Sequence, residues 1–204
     1  PEALRLLGIH ARYENYNIKC KGKALIIATN QAKLEPRDQA TGVASSEITH
    51  PYYDFQDAGM IVDVASIKGG VIPVDPQTIS FPLLYTSEHC QRSLTDLEYQ
   101  SKLSNSLPIS NINIKNYDIV YLSGGWGAAY DFAQSPELGK FITIANANNK
   151  LIGSVCHGAL GLVNAKKVNG EPLLKGVRAT GVTDKQIQEL GIDVTPKHPG
   201  KFLV

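Results

Sequence analysis

Short apolar, β-branched runs alternate along this chain with stretches of helical spacing, and that alternation constrains the fold most. Lys23–Thr29 is an apolar run of strand length behind the turn-prone pair Lys21-Gly22. Ile48–Ala58 places aromatic and polar residues at helical spacing and stops at Gly59, a residue suited to the position just past a helix end. Met60–Ser66 reads as a second buried strand, closed by Gly69-Gly70. Tyr117–Ser123 reads as a third, running into Gly124-Gly125-Trp126-Gly127, and Lys150–Val155 as a fourth. Ser135-Pro136-Glu137 opens a helix expected to reach about Asn148, with proline at its first position and an acid in its first turn. A small-residue helix is predicted from His157 towards Ala165, and a fifth strand over Val177–Val182. Strands alternating with helices predict an α/β protein, a three-layer α/β/α sandwich around a mainly parallel sheet. Residues from about Ser80 to Pro108 are polar and partly helical, and read as an insertion in a single domain spanning 1–204.

Composition narrows the function classes. The chain has 204 residues, of which 43% are hydrophobic and 19% charged, a globular ratio rather than a disordered one. A net charge of +1 is no electrostatic footprint for nucleic acid and no polybasic membrane patch. The apolar runs, such as Ala24–Ala28, are far shorter than the ~18 residues of a membrane span. Three cysteines, Cys20, Cys90 and Cys156, make no disulfide framework, and an odd count leaves one thiol free. No basic, apolar, small-residue leader opens the chain, so a cytoplasmic protein with reduced thiols is expected. Pro1 as first residue and Met60 as sole methionine lead us to expect a trimmed product.

In parallel α/β sheets function collects at the carboxyl ends of the strands. That rule selects the junctions after Thr29, at Gly124–Gly127 and at Cys156-His157. Ser154-Val155-Cys156-His157-Gly158 has the small-x-nucleophile-x-Gly form of a nucleophile elbow, with cysteine in place of serine. The turn is tight, so side chains two positions either side must be small, and Ser154 and Gly158 are. Such a turn sets the sulfur over the free N–H groups of the next helix, which should lower a thiol from ~8.5 towards the activated range of ~3.5–7.5. The N–H of His157 would face a developing oxyanion. The bland reading, a small buried cysteine ending a strand, is outweighed by the adjacent His157 and the small flanks. Cys20 and Cys90 have no such support.

The glycine turn admits more readings. As a dinucleotide motif Gly125-x-Gly127 is weak, because Tyr130 occupies the third glycine position, the motif is not on the first strand and no acid ends the following strand at Val155. No Gly-Lys-Ser/Thr follows, which excludes a phosphate loop. It is either an anion pocket of exposed N–H groups that completes an oxyanion hole with His157, or a tight turn needing positive φ. Trp126, beside Gly124, either closes a substrate pocket or is an ordinary half-buried aromatic. Glu47, at the start of a predicted helix, reads by itself as a dipole partner or cap, and His50 before Pro51 as structural. The five histidines show no ligand spacing, so no metal is expected.

Together these segments resemble the ThiJ/PfpI superfamily, and most closely its chaperone and glyoxalase III branch. The matching stretches are Thr41-Gly42-Val43 with Glu47–Pro51, Ala58-Gly59 with Val62–Ser66, Gly69-Gly70 with Pro73–Pro76, Gly124–Gly127 and Val155–Gly158, within about Gly22 to Pro199. The resemblance implies a flavodoxin-like, class I glutamine amidotransferase-like fold. It implies Cys156 as nucleophile, His157 as its neighbouring base and Glu47 as a protonated acid hydrogen-bonded to the sulfur, with Gly125 and His157 as oxyanion donors. Members of the branch often carry a triad acid three residues after the Asp matching Asp184; here that position is Ile187, and Asp184 itself is the candidate third acid. Family chains also continue past the region matching Val194–Pro199, so this one is expected to be short at its C-terminal end. The implied function is a cofactor-independent glyoxalase acting on a small aldehyde such as methylglyoxal. Alternatives are an intracellular peptidase or amidase, and a holding chaperone or a redox sensor whose thiol is oxidised to a sulfinic acid, with misfolded or glycated protein as a further partner. The family expectation is a homodimer.

Overall fold

The computed structural model describes residues 19–35, 37–80 and 87–189. In chain order it comprises β1 (Lys23–Ala28), the hairpin strands β2 (Lys33–Leu34) and β3 (Gln39–Ala40), α1 (Ser45–Asp57) and β4 (Ile61–Ser66). There follow α2 (Glu88–Ser93), α3 (Leu97–Ser104), β5 (Leu107–Pro108), β6 (Ile119–Leu122), α4 (Ala128–Asp131), α5 (Pro136–Ala147), β7 (Leu151–Ser154) and α6 (Asp184–Glu189). The sheet runs β5-β4-β1-β6-β7 and every pairing in it is parallel. From β1 the chain first builds outward to β4 and later returns to the other side at β6, so the strand order reverses at β1.

Strand β1 shows why this is a three-layer structure. Its side chains alternate by period, Leu25 and Ile27 into one core and Ile26 and Ala28 into the other, and all four are fully buried. The first core takes Leu138, Phe141, Ile142 and Ala145 from α5; the second takes Ile48, Tyr52 and Tyr53 from α1. Helix α5 begins at the predicted signal, with the Ser135 hydroxyl accepting from the N–H of Leu138 at 3.0 Å.

Residues 80–108, read as a polar insertion, are joined to the core where described. Tyr99 of α3 packs in the second core, and Leu107–Pro108 adds the outer strand beside β4. The predicted fifth strand over Val177–Val182 does not form. Its residues are irregular, and 177–180 are exposed with no strand beside them among the described residues, so β-branched composition alone did not make a strand. The helix predicted from His157 towards Ala165 is a 3₁₀ helix over Cys156–Leu162. The stretch near Val194–Pro199 that entered the resemblance lies outside the described residues. Among the described residues no helix is long and apolar enough to cross a membrane.

Candidate active site

The carboxyl ends of β1, β6 and β7 converge. Beyond β7 the chain turns sharply at Cys156, whose φ of 52° lies in the left-handed region that a side chain rarely adopts. The turn is fixed by close backbone approach. A Cβ on Gly158 would stand 2.2 Å from the Leu122 carbonyl oxygen, so only glycine fits two residues after the sulfur. The end of β6 is equally tight. A Cβ on Gly124 would meet Glu47 Oε2 at 2.5 Å and Cys156 Cβ at 2.9 Å. Gly125, at φ 93°, sits against the Gly42 carbonyl, and Gly127 N–H donates to that carbonyl at 3.2 Å. The glycine turn therefore needs positive φ and also forms the floor between Glu47 and the sulfur.

Glu47 lies in the first turn of α1. That helix has no side-chain cap at Ala44; instead Ser45 N–H donates to Thr78 Oγ1 at 3.0 Å. Burial raises the Glu47 carboxyl above the usual carboxylate range, against the opposing pull of Cys156 and the Gly124 and Gly125 N–H groups. These contacts are loose, since Oε2 is buried without a partner of ordinary hydrogen-bond geometry among the described residues. The Cys156 thiol is pushed up to about 11, by burial first and then by the charge of Glu47, while the His157 and Gly125 N–H groups favour the thiolate. The lowered thiol expected from the elbow is thus corrected. The N–H donors are in place, but burial and a neighbouring carboxylate outweigh them. His157 is buried at 5% exposure, with Nδ1 3.5 Å from Sγ and its ring 4.9 Å from that of Trp126.

Glu47, Gly125, Trp126, Cys156 and His157 line one cleft of about 210 Å³. Gly124 lies beneath it, packed on Glu47 and Cys156. Asp184 is exposed at the start of α6 and does not line the cleft, whereas its neighbours Val182 and Gln186 do. Sequence reasoning gave no role to Asp75 and Thr78, which also line it. Asp75 is buried and accepts from Thr41 Oγ1 at 2.7 Å and Gln77 N–H at 2.9 Å, a turn that the Asp-Pro pair signals. A larger cleft of about 290 Å³, lined by residues including Asn30, Lys68 and Asp131, contains none of the converging site residues. No three His, Cys, Asp or Glu side chains are grouped as metal ligands among the described residues.

Residues 39–184, which include Glu47, the glycine turn, Cys156 and His157, match the DJ-1/PfpI family. The chain belongs to that family. Among curated relatives, the glutathione-independent glyoxalase HSP31 of Saccharomyces cerevisiae is 28% identical over 175 residues, covering 84% of this chain and 73% of the relative. Among solved structures, the 24 kDa rapid encystment protein of Francisella tularensis superposes with a TM-score of 0.77 at 30% identity, covering 86% of this chain and 76% of that one. Glyoxalase III of Candida albicans gives 0.77 at 27% identity, covering 85% and 74%. Within the DJ-1/PfpI frame, the elbow at Cys156 and the carboxyl of Glu47 face each other across the glycine turn.

Proposed function

We propose that this protein is a cofactor-independent glyoxalase converting a small 2-oxoaldehyde, such as methylglyoxal, to the 2-hydroxy acid. The observation that carries the reading is a buried carboxyl of raised pKa interacting with the elbow thiol inside a small cleft. A protonated Glu47 removes its charge from beside the sulfur and donates to it, which makes the thiolate accessible. His157, with Nδ1 3.5 Å from Sγ, takes the thiol proton as the sulfur attacks the aldehyde carbon, and returns it to the oxygen to give a hemithioacetal. The Gly125 and His157 N–H groups, which now address the sulfur, stabilise charge on that oxygen. Glu47 and His157 then move the carbon-bound proton to the neighbouring carbon through an enediol. The product is a thioester of the 2-hydroxy acid, which water cleaves to release acid and thiol. One carbon is oxidised as its neighbour is reduced, so the chemistry draws on no outside redox partner.

Trp126 and Val182 give the cleft an apolar rim, and about 210 Å³ suits a small molecule better than a polypeptide. The relatives named as glyoxalases support the same substrate class. The test is conversion of methylglyoxal to lactate by purified wild type and Cys156→Ala. Turnover in the wild type, lost in the variant, is expected; equal rates would overturn the proposal. Release of product from a fluorogenic peptide, with no lactate formed, would favour amide cleavage at the same nucleophile.

A further inference from the structure

The first turn of α1 contains a carbonyl that the regular i, i+4 pattern of the helix leaves without its N–H donor. Glu47 and Pro51 are four residues apart within Ser45–Asp57. In an α-helix the carbonyl of residue 47 accepts from the N–H of residue 51, and proline has none. The acceptor lies in the interior, because Ile48 and Pro51 beside it are buried, and a buried carbonyl left without a donor is costly. Ser123 supplies the donor. Its hydroxyl donates to the Glu47 carbonyl at 3.1 Å, and the residue is fully buried.

Ser123 is well chosen as an anchor. Its own N–H donates to the Ile27 carbonyl at 3.0 Å, so its backbone is held in the sheet at the end of β6. The next residue, Gly124, is the surface on which the Glu47 carboxyl rests, with the missing Cβ 2.5 Å from Oε2. One residue further, Gly125 presents its N–H towards the sulfur. The helix turn bearing Glu47 is therefore tied, through its main chain, to the same strand end that supports its carboxyl.

We infer that Pro51 and Ser123 act together as a positioning device for Glu47: proline leaves the Glu47 carbonyl open, and the Ser123 hydroxyl captures it and fixes the carboxyl beside Cys156. Neither residue touches the reacting atoms. Replacing Ser123 by alanine orphans the carbonyl, and the helix start shifts to find a donor, carrying the carboxyl away from the sulfur. Pro51→Ala supplies an N–H at position 51, which satisfies the carbonyl from within the helix and makes the serine dispensable. This interdependence distinguishes the device from a hydrogen bond that merely adds stability.

The inference takes its catalytic meaning from the proposed glyoxalase reading, but its test does not depend on substrate. The rate of Cys156 alkylation by iodoacetamide is followed against pH, with peptide mass spectrometry separating Cys156 from Cys20 and Cys90. At the alkaline pH of the thiol midpoint Glu47 is ionised and its charge raises that midpoint, so Ser123→Ala is expected to lower it by about one unit. Ser123→Thr, which keeps the hydroxyl, and the double variant Ser123→Ala/Pro51→Ala, which restores a donor, are expected to return it towards the wild-type value. A wild-type midpoint in Ser123→Ala, or a double variant indistinguishable from it, overturns the inference. If Ser123→Ala does not fold, recovery of folded protein in the double variant supports the device and failure of both overturns it. Wild type that turns over no methylglyoxal but shows these shifts sinks the glyoxalase reading alone.

Discussion

The two ends of the central sheet hold partly buried carboxylates in opposite circumstances. Towards the amino end, Asp63 on β4 accepts from Lys23 Nζ at 2.7 Å and from Tyr117 OH at 2.6 Å, with the Lys23 ammonium 4.8 Å from the centre of the Tyr117 ring. Burial would raise Asp63, but the Lys23 and Tyr117 hydrogen bonds outweigh it and hold the carboxyl below its ordinary value. At the carboxyl end, Glu47 sits beside a thiol, and burial raises it. Asp63 is held in satisfied pairs, whereas Glu47 lies beside a thiol in a strained turn with its carboxyl raised by burial. The two rims of one sheet therefore shift these carboxyl groups in opposite directions.

That division can be broken or sharpened by substitution. Glu47→Gln keeps the shape of the side chain but removes the exchangeable proton, and methylglyoxal turnover is expected to fall by roughly 10²-fold or more. Gly158→Ala forces a Cβ to 2.2 Å from the Leu122 carbonyl, a backbone atom that cannot swing aside. Urea unfolding should show a loss of about 2–3 kcal/mol. Asp63→Asn leaves Lys23 without its counter-charge and should cost about 1–2 kcal/mol in the same assay, with turnover retained.

The smallest effect is the most diagnostic. Glu47 is raised in the folded protein, so the native state binds more protons than the unfolded one above the ordinary carboxyl value of 4.5. Wild-type stability therefore falls, relative to Glu47→Gln, as pH rises from that value through the folded one. Asp63 is lowered, so its contribution is complete above its ordinary value of 3.8 and is lost as pH falls through the folded one. Urea titrations of the two variants from pH 3 to 7 should diverge from wild type in opposite senses; parallel curves would dissolve the contrast between the two rims.

What the sequence made legible was local. The period-two burial of β1, the serine cap of α5 and the small residues around Cys156 follow from neighbours in the chain, and all can be read there. The thiol's pKa could not be, because it depends on how deeply the turn is buried and on a carboxyl more than a hundred residues earlier. The buried place of Tyr99 was hidden for a similar reason, since its segment is polar and only packing against α1 gives it a core face. Ser123 was visible as part of a glycine motif, yet its partner is a main-chain carbonyl, which no pattern of side chains reveals. The strand expected at Val177–Val182 erred the other way: composition suited a strand, but among the described residues no ladder receives it.

Cys156, at φ 52°, occupies a backbone conformation that glycine would adopt without penalty. For a cysteine the left-handed region costs about 1 kcal/mol or more. At this one position, then, the change that most relaxes the main chain is also the change that deletes the sulfur. A lineage selected only for persistence would be expected to drift towards glycine here and keep its fold, since cysteine is held at this turn at a conformational cost. The residue found at the elbow is in that sense a gauge of use: in any descendant of this chain, its identity would show whether the chemistry was still wanted.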